Sequence, residues 1–498
     1  MWNSRLRVYF PFTDEVPDNR QELAAASFGP ACSSSLLYVA PLLGPAPDWT
    51  ASSFRLGSRL LRLGTRGKAT YFISPDRLFW MAVCADCARF LQAFQDEVEG
   101  KHLLLRQSSH LKADVFRLLT FLWRKGAVVV LGCAPPPSPV EIERVTHDEL
   151  RRVVQIGITQ SCNFHCPHCL FDSGKPLKRE ADWPTLIAGL EMLLVNGVGA
   201  QPGAVTIQGG EPLLAPHTKE LLLWLNRRRI QTYLYTNGWH LQQEWIEFLN
   251  TIRCRVMVSI DGSEDFHDTI RRSGSFARIV EAIAFFRQHG SDWGISMCVG
   301  ERNVSEIDAV WSIAEKHSAS ALHIYRTVEQ GRAASGGHWQ PVALSTLISE
   351  LLRVRRKHRP ANFFVDSDLE YWETLIKHQR FAANCGLGRH SKYYCDAAGV
   401  VYPCNLTVSP SCEIGAFKER QLTLDVLRRR AAKLGENGCK AWLQAQTQQC
   451  AIRYWCGGGC RGEALHMTGN ITSHYCDCED TKKAVLQVME EILLAEGS

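Results

Sequence analysis

Between residues 153 and 325, six short β-branched runs alternate with five amphipathic stretches, and that alternation admits few folds. The runs 153–159, 204–208, 230–235, 255–260, 294–299 and 321–325 read as strands. The stretches 184–194, 219–228, 239–250, 276–288 and 304–317 carry helical spacing. A strand–helix series of this kind makes a parallel sheet with helices on its outer face. Six units fit a partial α/β barrel, in which the loops after the strands build the active site at one face. The polar motifs of the chain fall in those loops.

The first loop holds Cys162, Cys166 and Cys169, spaced C-x3-C-x2-C. Three thiolates can hold three irons of a cubane cluster, whereas an ordinary [4Fe–4S] site uses four. The fourth iron is then open, and an open metal position is where a metal site does chemistry. Zinc, which also takes three or four thiolates, is the alternative for the spacing alone.

The 498 residues lack an apolar run of about 18 that could span a bilayer. The N-terminus lacks the apolar core of a signal peptide, so a cytoplasmic location and no membrane partner are expected. A net charge of +5 with no basic run among aromatics argues against a nucleic-acid partner. In a reducing compartment disulfides do not explain nineteen cysteines. Ten of them lie between Cys385 and Cys478, and clustering at short spacings points to metal. The scattered Cys32, Cys133, Cys254 and Cys298 read as small buried apolar side chains. Cys84-x2-Cys87 lies in a helical pattern and reads as packing, with a redox or metal pair as the alternative.

The triad and its surrounding loops resemble the radical S-adenosylmethionine (radical SAM) enzymes. Gln208-Gly209-Gly210-Glu211-Pro212, after the second strand, looks like that superfamily's GGEP motif. Thr236-Asn237-Gly238 follows the third strand, and Ser259-Ile260-Asp261-Gly262 the fourth. The resemblance implies a [4Fe–4S] cluster on Cys162, Cys166 and Cys169 with its open iron chelated by SAM. It implies that Gly209, Gly210 and Pro212 shape a turn whose glycines let the backbone approach the ligand, and that Glu211 holds the methionyl ammonium. Thr236, Asn237, Ser259 and Arg271 become cofactor contacts in this resemblance. Asp261 is placed near the ribose or on the substrate side, and His168 near the adenine. A small electron-transfer protein, flavodoxin or ferredoxin, is the implied reductant. No residue is singled out as acid or base.

The Cys-rich region 384–480 resembles the SPASM domain, which carries auxiliary iron–sulfur clusters in peptide-modifying radical SAM enzymes. Cys385-x13-Gly399-x4-Cys404 fits the opening of that pattern, and Cys450-x5-Cys456-x3-Cys460 fits three later positions. Thr447 stands where a further cysteine is expected. The resemblance implies one cluster on Cys385, Cys404 and Cys460, with Cys395 or Cys412 as fourth ligand. A second would use Cys450, Cys456 and Cys476 or Cys478, with Cys439 as substitute for the missing ligand. That second cluster could instead keep an open iron, or be absent.

Further expectations are an N-terminal segment 1–67 of no assigned fold and a winged-helix-like α+β unit at 68–134. Residues 69–74 and 126–131 read there as strands, and 79–94 and 111–123 as helical. The unit resembles peptide-recognition domains of maturases acting on ribosomally made precursor peptides, which bind a leader region as an added strand. The barrel is placed at 150–330, a helical connector at 341–383 and a terminal helix at 481–498. The expected function is modification of a precursor peptide begun by hydrogen-atom abstraction. The alternatives are oxidation of a Cys or Ser in a protein, as in anaerobic sulfatase maturases, and a zinc-stabilised binding protein without catalysis.

Overall fold

The computed structural model describes residues 8–9, 54–56, 60–66, 69–74, 79–96, 109–124, 126–130, 153–194, 204–335, 339–358, 361–377, 392–435, 450–473 and 477–496. Cys385, Cys439, Thr447, Cys476 and most of segment 1–67 lie outside them.

The N-terminal part has the strands β1 (Val8–Tyr9), β2 (Phe54–Leu56), β3 (Leu61–Arg66), β4 (Ala69–Ser74), β5 (Phe79–Val83) and β6 (Val128–Val130). Four form an antiparallel sheet in the order β1-β5-β4-β3, and β2 pairs separately with β6. Residues 79–83, expected to be helical, are therefore a strand. The run Phe79-Trp80-Met81-Ala82-Val83 is apolar throughout and carries neither a helical nor a strand period. Pairing with β4, Phe72 opposite Met81 and Ile73 opposite Trp80, decides it. The helix begins afterwards, at Ala85–Asp96.

Both faces of this sheet are buried. Phe72, Met81 and Val83 pack under the helices Ala85–Asp96 and Ser109–Arg124. Tyr71, Ile73, Trp80 and Ala82 join the main core, which includes the C-terminal helix Cys478–Glu496. Gly64 of β3 meets that helix closely, since a Cβ there would lie 2.7 Å from a methyl of Leu486.

The main sheet has ten strands in the order β13-β12-β11-β10-β9-β8-β7-β14-β15-β16. Six are those expected: β7 (Val153–Gly157), β8 (Ala204–Gln208), β9 (Gln231–Thr236), β10 (Cys254–Ser259), β11 (Trp293–Val299) and β12 (Ala321–Arg326). All pair in parallel, with helices between them that bury Leu190, Leu225, Ile246, Ile283 and Trp311 against the outer face.

The sheet extends at both ends. A seventh parallel strand, β13 (Phe364–Asp366), comes from the segment expected to be a helical connector. It lies between the helices Leu344–Lys357 and Asp368–Lys377, which do follow expectation. At the other edge β14 (Lys392–Cys395), from the Cys-rich region, pairs in parallel with β7. β15 (Val400–Tyr402) and β16 (Gly415–Ala416) continue it antiparallel. A segment with few long apolar runs thus borrows its core by adding strands to a sheet already formed. Among the described residues no helix is long and apolar enough to cross a membrane.

Candidate active site

The cysteine loop leaves β7 and closes on itself. Cys162 N–H donates to Gly174 O at 2.9 Å and Gly174 N–H to Gln160 O at 3.0 Å, so the loop re-enters where it began. Within it two sulfurs accept backbone hydrogen bonds: Cys162 Sγ from Phe164 N and Cys169 Sγ from Ser173 N, both at 3.4 Å. Such bonds favour the thiolate and tune a cluster held by it. Cys166 is 8% exposed, and burial pushes its thiol up to about 12. Burial also raises Cys162. Thiols this reluctant to ionise do so when a cation takes their charge, which is what ligation by iron provides.

The glycine turn after β8 lies against the start of this loop. Gly210 N–H donates to Thr159 O at 2.7 Å and Glu211 N–H to Ser161 O at 2.8 Å. Gly209 has φ +135°, and a Cβ on Gly210 would stand 2.0 Å from Ser161 O. The glycines therefore let two backbones touch, the turn and the entrance of the cysteine loop. Pro212 opens the short 3-10 turn Pro212–Leu214, which Glu211 caps through Leu213 N.

Glu211 is fully buried and ties the second loop to the third. One oxygen accepts from Thr236 Oγ1 (2.7 Å) and Leu213 N (3.1 Å), the other from Asn237 N (2.8 Å). Burial raises its carboxyl above the usual range, with those donors opposing. A carboxylate offers about four acceptor positions, so one remains open on Oε2. Asn237 Nδ2 donates to Asn163 Oδ1 at 2.8 Å, binding the third loop to the cysteine loop. Trp239 packs edge-on against Phe164 with centroids 5.9 Å apart, and the Arg272 guanidinium covers Trp239 at 4.0 Å.

Beneath the loop lies a buried charge cluster. Asp261, 0% exposed, accepts from Arg271 Nε at 2.5 Å and from Cys298 N at 2.9 Å. Burial acts to raise its carboxyl, but Arg271 and His168 outweigh burial and hold it at about 2. His168 Nε2 lies 3.3 Å from Asp261 Oδ2, and its ring packs on Trp339 at 5.0 Å. Burial lowers the His168 imidazole to about 4. Ser259 is half-buried at the end of β10. His267 is fully buried, with Nδ1 3.3 Å from Asp261 N, and burial lowers it also to about 4. Its depressed folded value means the unfolded chain binds the extra proton first. Stability should fall as pH drops from about 6.5 towards 4, by roughly 1.4 kcal/mol per pH unit for this group. His267→Gln should flatten the slope by that amount in denaturant titrations at pH 7 and pH 5; an unchanged slope would place the proton elsewhere.

Two features were invisible in the sequence. Arg332, in the segment after β12, holds the cysteine loop with all of its fork. Nε donates to Cys166 O (2.9 Å), Nη1 to Asp172 Oδ1 (2.6 Å) and Nη2 to Ser173 O (2.8 Å). Gly331, φ +62°, passes so close that a Cβ would lie 2.4 Å from Leu170 O. We expect Arg332→Lys to fail as badly as Arg332→Gln, because an ammonium cannot span three fixed acceptors. Hydrogen exchange across residues 162–174 should accelerate in both variants; protection retained in the lysine form would reduce Arg332 to a point charge. The second is a polar bridge inside the barrel, where Tyr235 Oη meets His323 Nδ1 at 2.8 Å and Tyr325 Oη at 2.9 Å. No local motif signals either, since their partners are distant in sequence.

Several buried polar atoms around the cysteines have no protein partner: Asn163 Nδ2, His168 Nδ1, Gln208 Nε2 and Gln330 Oε1. An unmet buried donor or acceptor costs about 1–3 kcal/mol, so these four suit a bound polar ligand. Among the described residues no three His, Cys, Asp or Glu side chains converge as on a single metal ion. A cubane differs, because its thiolates attach to separate irons. Cys162, Cys166 and Cys169 feel one another's charge without meeting at a point.

The radical SAM superfamily model matches residues 156–310, from β7 into the first turn of the helix Ile307–His317. The barrel carries a radical SAM domain. The chain is similar to the sporulation killing factor maturation protein SkfB of Bacillus subtilis (strain 168), at 26% identity over 51% of this chain and 60% of that protein. It therefore spans less than two thirds of that relative. Similarity to a serine-type anaerobic sulfatase-maturating enzyme of Bacteroides thetaiotaomicron reaches 25% identity over 60% of this chain and 80% of the enzyme. Among solved structures, Streptococcus suis SuiB bound to S-adenosylmethionine matches with a TM-score of 0.53 and 15% identity. That match covers 85% of this chain and 99% of SuiB, and shows a shared fold.

Proposed function

We propose that this chain is a radical SAM maturase that abstracts a hydrogen atom from a residue of a ribosomally made precursor peptide. The observation that supports this reading is the placement of three cysteines and several unpaired buried amide and imidazole atoms in the loops at the strand ends of one barrel. When bound, a [4Fe–4S] cluster with SAM supplies the one-electron cleavage that starts such chemistry. Cys162, Cys166 and Cys169 would hold it. His168 Nδ1, Gln208 and Asn163 offer neutral hydrogen-bonding atoms to a ligand, and the open position on Glu211 Oε2 suits an ammonium. Asp261 and Arg271 satisfy each other, so we assign them to holding the site's shape, leaving Ser259 and the β8 and β9 loops to touch SAM.

For the C-terminal region we infer a cluster on Cys450, Cys456 and Cys478, which lie within one another's electrostatic reach beside Lys482. Cys404 and Cys460 belong in this reading to a second set. Cys395 is wholly buried in β14, and Cys412 packs in a small core with Leu465 and Ile471; both serve as packing thiols.

A peptide substrate is supported by the relatives' names and by SuiB, which is known in complex with precursor peptide SuiA. The N-terminal sheet is our choice for the leader region, and a flavodoxin or ferredoxin our choice of reductant. Oxidation of a Cys or Ser in a protein is a second reading, favoured by the 80% coverage of the sulfatase-maturating relative. Anaerobic reconstitution followed by iron and sulfide analysis and dithionite-driven SAM cleavage tests the common core. Stoichiometric zinc without charge-transfer absorption would overturn it. Incubation with a genomically adjacent short peptide and with a sulfatase peptide then separates the two substrate classes.

A further inference from the structure

Cys84 and Cys87 stand at the junction of β5 and the helix Ala85–Asp96. Cys84 C=O accepts the first i→i+4 hydrogen bond of the helix, from Ala88 N at 2.9 Å, which makes it the N-cap. Ser, Thr, Asp and Asn are the usual residues there, because their oxygens accept from the free N–H groups of the first turn. Here a sulfur does so: the N–H groups of Asp86 and Cys87 donate to Cys84 Sγ, and the two cysteine side chains hydrogen-bond to each other. Their burial differs sharply. Cys87 is 0% exposed and packs with Phe90 and Leu91, whereas Cys84 is half-exposed. Core packing accounts for Cys87, whereas Cys84 packs only in part against the same core and keeps the rest of its surface open at the N-cap.

We propose that Cys84 and Cys87 form a redox-active dithiol that exchanges with a disulfide, Cys84 attacking and Cys87 resolving. The Cys84 thiolate forms a bond to one sulfur of the incoming disulfide, and the other sulfur leaves as a thiol. Cys87 then bonds to Cys84 Sγ and expels the second partner sulfur. The partner gains two electrons and the two thiol protons, and the protein is left with a Cys84–Cys87 disulfide. A half-exposed attacking sulfur beside a buried resolving one is what this sequence of steps requires. The electrostatics agree: the hydrogen bond from Cys87 leads in bringing the Cys84 thiol down to about 6, against burial and the neighbouring Asp86 carboxylate. No barrel residue takes part, so the dithiol stands or falls separately from the SAM chemistry.

Trypsin releases residues 78–89, which contain these two cysteines and no other. The full-length, anaerobically reconstituted protein should be equilibrated with mixtures of reduced and oxidised glutathione, acid-quenched, alkylated and digested. The peptide should pass from doubly alkylated to unalkylated and two hydrogens lighter in one two-electron transition. A parallel arm uses a cyclic peptide closed by one disulfide; exchange in either arm supports the dithiol and tells a small-molecule from a peptide partner. A peptide that stays doubly alkylated in both arms overturns it. Cys87→Ser should trap glutathione on Cys84, and Cys84→Ser should leave Cys87 unmodified. Alkylation of Cys84 in the reduced protein should reach half its maximal rate near pH 6, whereas an ordinary thiol does so near about 8.5. A half-maximum at the ordinary value counts against it.

Discussion

Replacing Cys166 by alanine is expected to reduce 5′-deoxyadenosine formation to the background of buffer and dithionite. Cys166 is the most buried cysteine of the triad, and Arg332 holds its backbone carbonyl. Two remaining thiolates cannot hold a cluster that needs at least three. Iron should fall by about four per chain, with the iron bound by the C-terminal cysteines retained. Circular dichroism should be unchanged, because the loop closes through backbone bonds at Gln160, Cys162 and Gly174 and not through the sulfur. Persistent 5′-deoxyadenosine formation in this variant would remove Cys166 from the cluster. Loss of all iron would instead mean that the C-terminal cysteines do not hold clusters of their own.

The second large effect concerns stability. Asp261→Asn keeps the shape of the side chain and removes its charge, leaving the Arg271 guanidinium buried and uncompensated. Breaking a buried pair in this way costs roughly 3–5 kcal/mol. Chemical denaturation should show the loss, and Asp261→Asn combined with Arg271→Met should recover a good part of it. A single variant within about 0.5 kcal/mol of wild type would show that water or a ligand already compensates Arg271. The sign of the pH dependence follows from the depressed carboxyl. Its contribution is fully present above the unfolded value of about 3.9 and disappears as pH falls through about 2. The His267 contribution is lost at higher pH, so the two are separable on one acid titration.

The strand–helix series was legible because each strand is short, β-branched and bounded by a polar loop, so local pattern and tertiary pairing agree at β7 to β12. The triad and the glycine turn were legible for a related reason: their spacing is local, set by residues within seven positions of one another. Residues 79–83 were misread because a uniformly apolar run carries no period, and only the register with β4 makes it a strand. β13 was missed because Phe364–Asp366 is three residues long and gains its identity from pairing with β12. The same holds for β14, whose parallel pairing with β7 brings the Cys-rich region onto the barrel sheet.

By itself, then, the sequence determined a parallel α/β barrel with a three-cysteine loop after its first strand, since spacing and alternation are properties of neighbours along the chain. Only the tertiary structure decided what each polar residue does. It turned Asp261 and Arg271 towards each other, committed three of the acceptor positions of Glu211 to protein donors, and brought Arg332 across 160 residues to Asp172. It also set Cys84 at a helix N-cap with Cys87 behind it. Such roles depend on which buried charge or donor lies within about 3 Å, and in a folded chain that neighbour is rarely a neighbour in sequence.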